Sequence, residues 1–135
     1  MFQAIDHTAL RADICIQNLV KHSLNKAKRV DQIKVCFTAL DNKVVKPGTE
    51  TFIVRIINPL GETLAVEDMG SGFFKDLDKN DEIRFTMMSQ IDYANEEVQE
   101  CLVWAPVNAS FIAGEYTVEV YNKGHLAGKG KFKLK

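Results

Sequence analysis

The chain has 135 residues, 46% of them hydrophobic and 26% charged, which is the composition of one ordinary globular domain. Its formal net charge of −1 argues against a general nucleic-acid binder or a membrane-surface binder, because both normally carry a basic excess. The sequence shows neither a signal peptide nor an apolar run long enough to span a membrane, so a cytoplasmic location is expected.

Residues 1–30 predict an amphipathic helix, because they contain no Gly and no Pro and their apolar residues recur at three- and four-residue steps. The apolar stripe would either pack on the following domain or pair with another helix in a coiled coil. Self-association is favoured, because the two sheets of a sandwich already cover each other. A cationic membrane helix is the weaker third choice, since Asp6 and Asp13 dilute it. The residues assigned to oligomerisation are Ile5, Ala9, Ala12, Ile16, Leu19, Val20 and Leu24.

The apolar period changes from near 3.6 to 2 at Ile33, which predicts a domain boundary. Residues 31–135 are then predicted to form an immunoglobulin-like antiparallel β-sandwich of about seven strands. The predicted strands are 33–39, 52–57, 63–67, 72–74, 82–93 and 98–104, followed by a closing pair.

The closing pair of strands is predicted from a strict alternation. Tyr116, Val118 and Val120 point one way, and the intervening residues point the other, as in a half-buried strand. Residues 122–124, Asn-Lys-Gly, tolerate positive φ and predict a tight turn. Gly128, with Gly130, predicts a bulge or a close backbone approach in the last strand.

The loop from Asp76 resembles the first half of a calcium loop, with Asp78 and Asn80 as its next alternate oxygen ligands. The pattern then breaks, because Asp81 stands at the glycine position and Met87 at the glutamate position. A polar loop between strands is therefore favoured, and no metal or cofactor is predicted. The histidines, also without metal-ligand spacing, are His7, His22 and His125.

Three cysteines, Cys15, Cys36 and Cys101, are too few and of the wrong parity for a disulfide framework, which favours reduced thiols. A Cys36–Cys101 disulfide stays open if their two strands are neighbours. Neither cysteine has the exposed, electropositive setting of a nucleophile. The glycine-rich segments 70–72 and 128–130 lack the context of a phosphate loop, and the alternating lysines from Lys129 onward predict a solvated edge strand.

Four segments, 33–42, 52–64, 101–106 and 113–134, resemble the C-terminal β domain of bacterial coiled-coil proteins that often carry a chromosome-partitioning label. The resemblance covers residues 28–135 and implies that a helical coiled coil precedes the β domain. It supplies no catalytic residues. No Walker A loop is found in the sequence, so an ATP-driven partitioning activity is not expected.

These observations predict a non-enzymatic assembly or adaptor module. The helix would join copies of the chain into a homo-oligomer, and the sandwich would present a surface to another protein, with no nucleic-acid or membrane partner. The alternative is a sandwich that binds carbohydrate or calcium through loops 68–82 and 93–98. An enzyme is the third and least favoured reading.

Overall fold

The structure is a computed structural model that describes residues 9–20, 30–107 and 110–135, with the backbone alone for 16–20. These residues form a mainly β domain, with one short 3-10 turn at Glu67–Met69. Its strands are β1 Ala12–Val20, β2 Val30–Ala39, β3 Gly48–Ile57, β4 Gly72–Asp76, β5 Asp81–Phe85, β6 Met87–Tyr93, β7 Val98–Trp104, β8 Gly114–Asn122 and β9 His125–Leu134.

The strands make two main sheets around one core. Sheet A has the order β1-β2-β7 and sheet B the order β6-β3-β8-β9, with every pairing antiparallel. Alternate residues of the central strands face the core, so that Val35 of sheet A and Val118 of sheet B are fully buried. The rings of Phe37 and Phe52 meet between the sheets, with centroids 4.9 Å apart.

The structure confirms the predicted closing hairpin. Lys123 and Gly124 both have positive φ, at 53° and 82°, and form the two-residue connection whose twist matches that of the flanking strands. Gly128 lies where β9 passes β1, and a side chain there would overlap the carbonyl oxygen of Ala12. The predicted close backbone approach at Gly128 is therefore confirmed.

The predicted long strand 82–93 is divided at Thr86. The Thr86 amide donates to the Val54 carbonyl at 2.9 Å, but its hydroxyl oxygen, and not a backbone carbonyl, accepts from the Ile56 amide at 2.8 Å. Because the side chain replaces a backbone partner, the ladder between β3 and β6 ends here. The chain before Thr86 leaves the edge of sheet B, and β5 pairs with β4 in a separate two-stranded sheet.

The predicted N-terminal helix is wrong, and with it the coiled coil. The described residues contain no α-helix, and 12–20 form β1, which pairs with β2 at nine positions. The physical reason lies in a second pattern within the same segment. Ala12, Ile14 and Ile16 alternate with Asp13 and two other residues, and isoleucine favours strands. Pairing with β2 satisfies the backbone groups that a helix would have satisfied internally.

The immunoglobulin-like sandwich is also wrong. The structure has small sheets of three and four strands and a separate hairpin, and these do not make a closed sandwich. The strands predicted from the sequence did not include β1, and they assigned β4 and β5 to the main sheets. The predicted strand 63–67 is reduced to a single bridge between Ile57 and Thr63.

Candidate functional site

A buried polar cluster lies on the outer face of sheet B. Arg55 of β3 and Glu119 of β8 are directly opposite each other, on the face that points away from the core. Arg55 Nη1 donates to Glu119 Oε1 at 2.7 Å, and the two side chains are 15% and 8% exposed. Arg55 Nε also donates to the Arg84 carbonyl at 2.8 Å, and Nη2 donates to Thr63 Oγ1 at 2.9 Å. The guanidinium therefore links sheet B to β5 above it.

Tyr121 continues this cluster. Its hydroxyl donates to Glu119 Oε1 at 3.2 Å and lies 3.4 Å from Asp76 Oδ2. Burial, together with the negative charges of Glu119 and Asp76, raises the pKa of Tyr121 well above its usual value. The phenol therefore stays protonated and serves as a donor between two carboxylates.

The segment 72–85, called here the anchored hairpin, is held on sheet B by several contacts. The Phe74 ring packs on the Tyr121 ring with centroids 4.8 Å apart. Leu77 donates its amide proton to the Gly124 carbonyl at 2.8 Å, which joins the hairpin turn to the β8–β9 turn. The ends of the hairpin are closed by Ser71, whose hydroxyl donates to the Thr86 carbonyl at 2.6 Å. The hairpin is thus fixed at its tip and at its base.

The opposite face of the anchored hairpin is exposed to solvent. Phe73 is 58% exposed, and Met69 precedes it in the 3-10 turn. Leu77, at the tip of the hairpin, is 50% exposed, and the rest of its side chain lies against Gly124. The Arg84 guanidinium lies 5.5 Å from the Phe73 ring centroid, a cation–π distance. We call Met69, Phe73, Leu77 and Arg84 the hairpin patch.

The residues that resemble a calcium loop are engaged in other contacts. Asp76 Oδ1 accepts from the amides of Asp78 and Lys79 at 3.0 and 3.3 Å, and so closes the hairpin turn. Asp78 Oδ1 lies 2.8 Å from His125 Nδ1, and this hydrogen bond is the main cause of the lowered pKa of Asp78. Within the described ranges, no group of three or more His, Cys, Asp or Glu residues is arranged to hold a metal ion.

A second buried polar cluster holds the chain just before β1. The Leu10 amide donates to Asn122 Oδ1 at 2.8 Å, and Asn122 Nδ2 donates to Glu50 Oε1 at 3.1 Å. Lys123 Nζ completes the cluster, 2.9 Å from Glu50 Oε1. These bonds tie the start of β1 to sheet B.

The three cysteines form a row across sheet A. Cys15 is opposite Cys36 in the β1–β2 register, and Cys36 is opposite Cys101 in the β2–β7 register. Cys36 and Cys101 are joined by a disulfide, so the expectation of reduced thiols is wrong for these two residues. Cys15 is a free, exposed thiol. Spacing along the chain carried no signal for this row, because it depends on strand register.

The residues predicted to mediate oligomerisation do not form a helical stripe. Ala12 is buried in the core of the domain, and Ala9 lies just before β1. Ile16, Leu19 and Val20 pair along β2. The other two predicted residues, Ile5 and Leu24, lie outside the described residues. The prediction of oligomerisation through an N-terminal helix is therefore wrong, because residues 12–20 form the strand β1.

The site and fold define a small β domain with an anchored hairpin and a cysteine row. A family model, Domain of unknown function (DUF8428), matches residues 14–135, and the chain belongs to that family. No curated protein matches the chain. Nothing found links the chain to chromosome-partitioning proteins, so that resemblance stays an expectation.

One of the solved structures similar to the chain is the Pseudomonas fluorescens alkylpurine DNA glycosylase AlkC, bound to DNA containing an abasic site analog. The two are 14% identical with a TM-score of 0.47, and the match covers 90% of this chain but 30% of the glycosylase chain. At that TM-score the likeness carries no argument about function. The absence of a nucleic-acid partner therefore stays a prediction. No described helix is long and apolar enough to cross a membrane.

Proposed function

We propose that the chain is a non-enzymatic interaction domain that binds another protein through the hairpin patch. The observation that carries the proposal is the contrast between the two faces of the anchored hairpin. Its inner face is fixed on sheet B by Phe74 and Asp76, whereas Phe73 on its outer face presents apolar surface to solvent. Leu77 at its tip adds a half-exposed apolar side chain.

The buried ion pair beneath the hairpin supports a positioning role. A buried ion pair generally adds little net stability relative to apolar residues of similar volume, because desolvation offsets the Coulombic attraction. Arg55 nevertheless donates hydrogen bonds to Glu119, to Thr63 and to the backbone of β5. This geometry determines where the hairpin lies on sheet B, and a fixed position lowers the ordering cost of binding a partner.

The composition of the hairpin patch is typical of a protein-binding surface. Aromatic residues, Met and Arg are enriched in protein interfaces, and the patch contains Phe73, Met69 and Arg84. Its two most exposed apolar side chains, on Phe73 and Leu77, would have to be covered by an apolar surface of the partner to gain binding energy.

The test compares two double variants in affinity capture from the native host, with quantitative mass spectrometry. Phe73→Ser with Leu77→Ser alters the patch. Val44→Ser with Leu60→Ser is the matched control, because these residues are 69% and 73% exposed in other loops. The control should retain the partners of the wild-type chain, and the patch variant should lose them. Equal retention by both variants would overturn the proposal, provided that urea denaturation shows both folded.

The alternative function, binding of carbohydrate or calcium through loops 68–82 and 93–98, has less support. For calcium, the carboxylates of Asp76 and Asp78 already accept hydrogen bonds from the chain. A rise in the melting temperature on adding calcium would favour this alternative. We expect no rise.

The lack of enzymatic activity and the cytoplasmic location stay predictions. The Cys36–Cys101 disulfide weighs against the cytoplasm, because stable disulfides are rare where cellular reductants keep thiols reduced.

A further inference from the structure

The cysteine row places a free thiol beside a disulfide on the same face of one sheet. Residues directly opposite each other in antiparallel strands project to the same side. On β1, Ile14 packs against the core, so Cys15 projects outward. On β2, Val35 and Phe37 are buried in the core, so Cys36 between them also projects outward.

The spacing of the strands brings both neighbours within bonding range of Cys36. The Cα atoms of Cys36 and Cys101 are 4.0 Å apart, which is the separation of a non-hydrogen-bonded pair. In a central antiparallel strand, the backbone groups of such a residue point to the other neighbour. Cys15 and Cys36 are then a hydrogen-bonded pair with Cα atoms about 5.5 Å apart. Disulfides form across Cα separations of roughly that size.

We propose that this row is an exchangeable disulfide, in which the bond moves between the Cys36–Cys101 and the Cys15–Cys36 pairs. The Cys15 thiol first loses its proton to solvent. The Cys15 thiolate then attacks Cys36 Sγ, a new S–S bond forms, and the bond from Cys36 to Cys101 breaks. Cys101 leaves as a thiolate and takes up a proton. One disulfide and one thiol are present before and after, so the step needs no oxidant or reductant.

The arrangement suits this displacement in two ways. The attacking sulfur must approach from the side opposite the bond that breaks, and the register places Cys15 on the side of Cys36 opposite Cys101. The attacking and leaving sulfurs belong to Cys15 and Cys101, and both residues are exposed to solvent, where protons exchange freely.

The exchange relocates both the cross-link and the reactive group. Before it, β2 is bonded to β7 and the free thiol lies on β1. After it, β2 is bonded to β1 and the free thiol lies on β7. The outer face of sheet A can therefore present its thiol at either edge of the sheet. This activity is independent of the hairpin patch, which lies on the other sheet.

The test traps the free thiol of the native, dilute protein with iodoacetamide after incubation at pH 8, and then maps the peptides. Trypsin places the three cysteines on separate peptides, 12–21, 35–43 and 85–123. We expect alkylation of Cys15 and of Cys101, with the Cys101 share rising with incubation to a constant value. The Cys15–Cys36 disulfide should appear in the same proportion. Alkylation of Cys15 alone after hours at pH 8 would overturn the proposal.

Two variants complete the test. Cys15→Ser should lose all labelling of Cys101, because it lacks the attacking thiolate; labelling that persists means that the disulfide opens without Cys15, which contradicts the mechanism. Cys101→Ser, treated with oxidised glutathione, should form the Cys15–Cys36 disulfide. Glutathione on Cys15 and Cys36 without that disulfide would show that the two sulfurs cannot meet, and would equally overturn the exchange.

Discussion

The outer faces of the two sheets are stabilised by different kinds of interaction. The outer face of sheet B is covered by the anchored hairpin, and its polar residues Arg55, Glu119 and Tyr121 are paired with one another in a nearly dry layer. Among the residues that the structure describes, no hairpin or loop covers the outer face of sheet A, which carries a disulfide between two of its strands. Non-covalent polar pairing organises one face, and a covalent bond between strands organises the other.

This difference indicates what each face can do. A covered polar layer resists change, because removal of one partner leaves a charge buried without compensation. A disulfide beside a thiol is open to exchange, because Cys15 and Cys101, which carry the attacking and leaving sulfurs, are exposed, although Cys36 between them is buried. We therefore assign partner binding to the hairpin above sheet B, and covalent exchange to sheet A.

The largest effect is expected from breaking the ion pair under the hairpin. Arg55→Met leaves the Glu119 carboxylate buried without its partner, and the free energy of unfolding should fall by about 3–5 kcal/mol. Urea denaturation measures this loss. Lys34→Met on the outer face of sheet A is the matched control, and we expect a change below about 0.5 kcal/mol there. Adding Glu119→Leu to Arg55→Met should restore most of the lost stability; a double variant as unstable as the single one would contradict this account.

The second effect concerns the covalent bond on sheet A. Reduction of the Cys36–Cys101 disulfide, which joins residues 65 apart in sequence, should lower the free energy of unfolding by about 2–4 kcal/mol, because the unfolded chain gains conformational freedom. The measurement is urea denaturation with and without dithiothreitol. The free energy of unfolding of the Cys15→Ser variant should fall by the same amount on reduction. If reduction does not change the free energy of unfolding of the wild-type protein, the disulfide does not stabilise sheet A.

A smaller effect is expected from the phenol that bridges two carboxylates. Tyr121→Phe removes a donor to Glu119 and should cost about 2 kcal/mol, since hydrogen bonds to charged groups are the stronger ones. Tyr93→Phe, whose hydroxyl donates to the Leu40 carbonyl, should cost about 1 kcal/mol. Equal costs would argue against charged acceptors at Tyr121.

The same residue predicts a pH dependence. The pKa of Tyr121 is raised in the folded protein, so the unfolded chain releases this proton at a lower pH. The stabilisation is complete below the unfolded pKa and is lost as the pH rises above about 10. Between pH 9 and 11, the free energy of unfolding should therefore fall more steeply for wild type than for Tyr121→Phe. Parallel pH profiles would show that Tyr121 contributes no such linkage.

The smallest effect is expected where the hairpin turn meets the β8–β9 turn. Asp78→Asn weakens a partly exposed contact with His125, and the cost should stay below about 1 kcal/mol at neutral pH. The lowered pKa of Asp78 means that this contribution is present at neutral pH and is lost as the pH falls below about 4. Asp81→Asn, an exposed carboxylate at the start of β5, is the control. A loss as large as that of Arg55→Met would show that the tip, and not the buried layer, holds the hairpin.

The sequence by itself determined the elements whose period and turn chemistry agree. Residues 98–104 form the predicted strand, and the closing hairpin has its turn at Lys123-Gly124 as predicted. In these segments local preference and tertiary packing favour the same structure, since alternate residues face one core and the turn positions tolerate positive φ.

Tertiary structure decided the rest, because competing patterns were present or the contacts are distant in sequence. The segment that contains β1 carries both a three-to-four-residue stripe and an alternation, and only pairing with β2 selects the strand. Thr86 lies inside the predicted strand 82–93, yet it ends the ladder, because its buried hydroxyl takes the place of a backbone partner. Arg55 and Glu119 are 64 residues apart, and the cysteine row arises from the register of three strands. Register is a property of the assembled sheet, so no spacing along the chain could reveal either site.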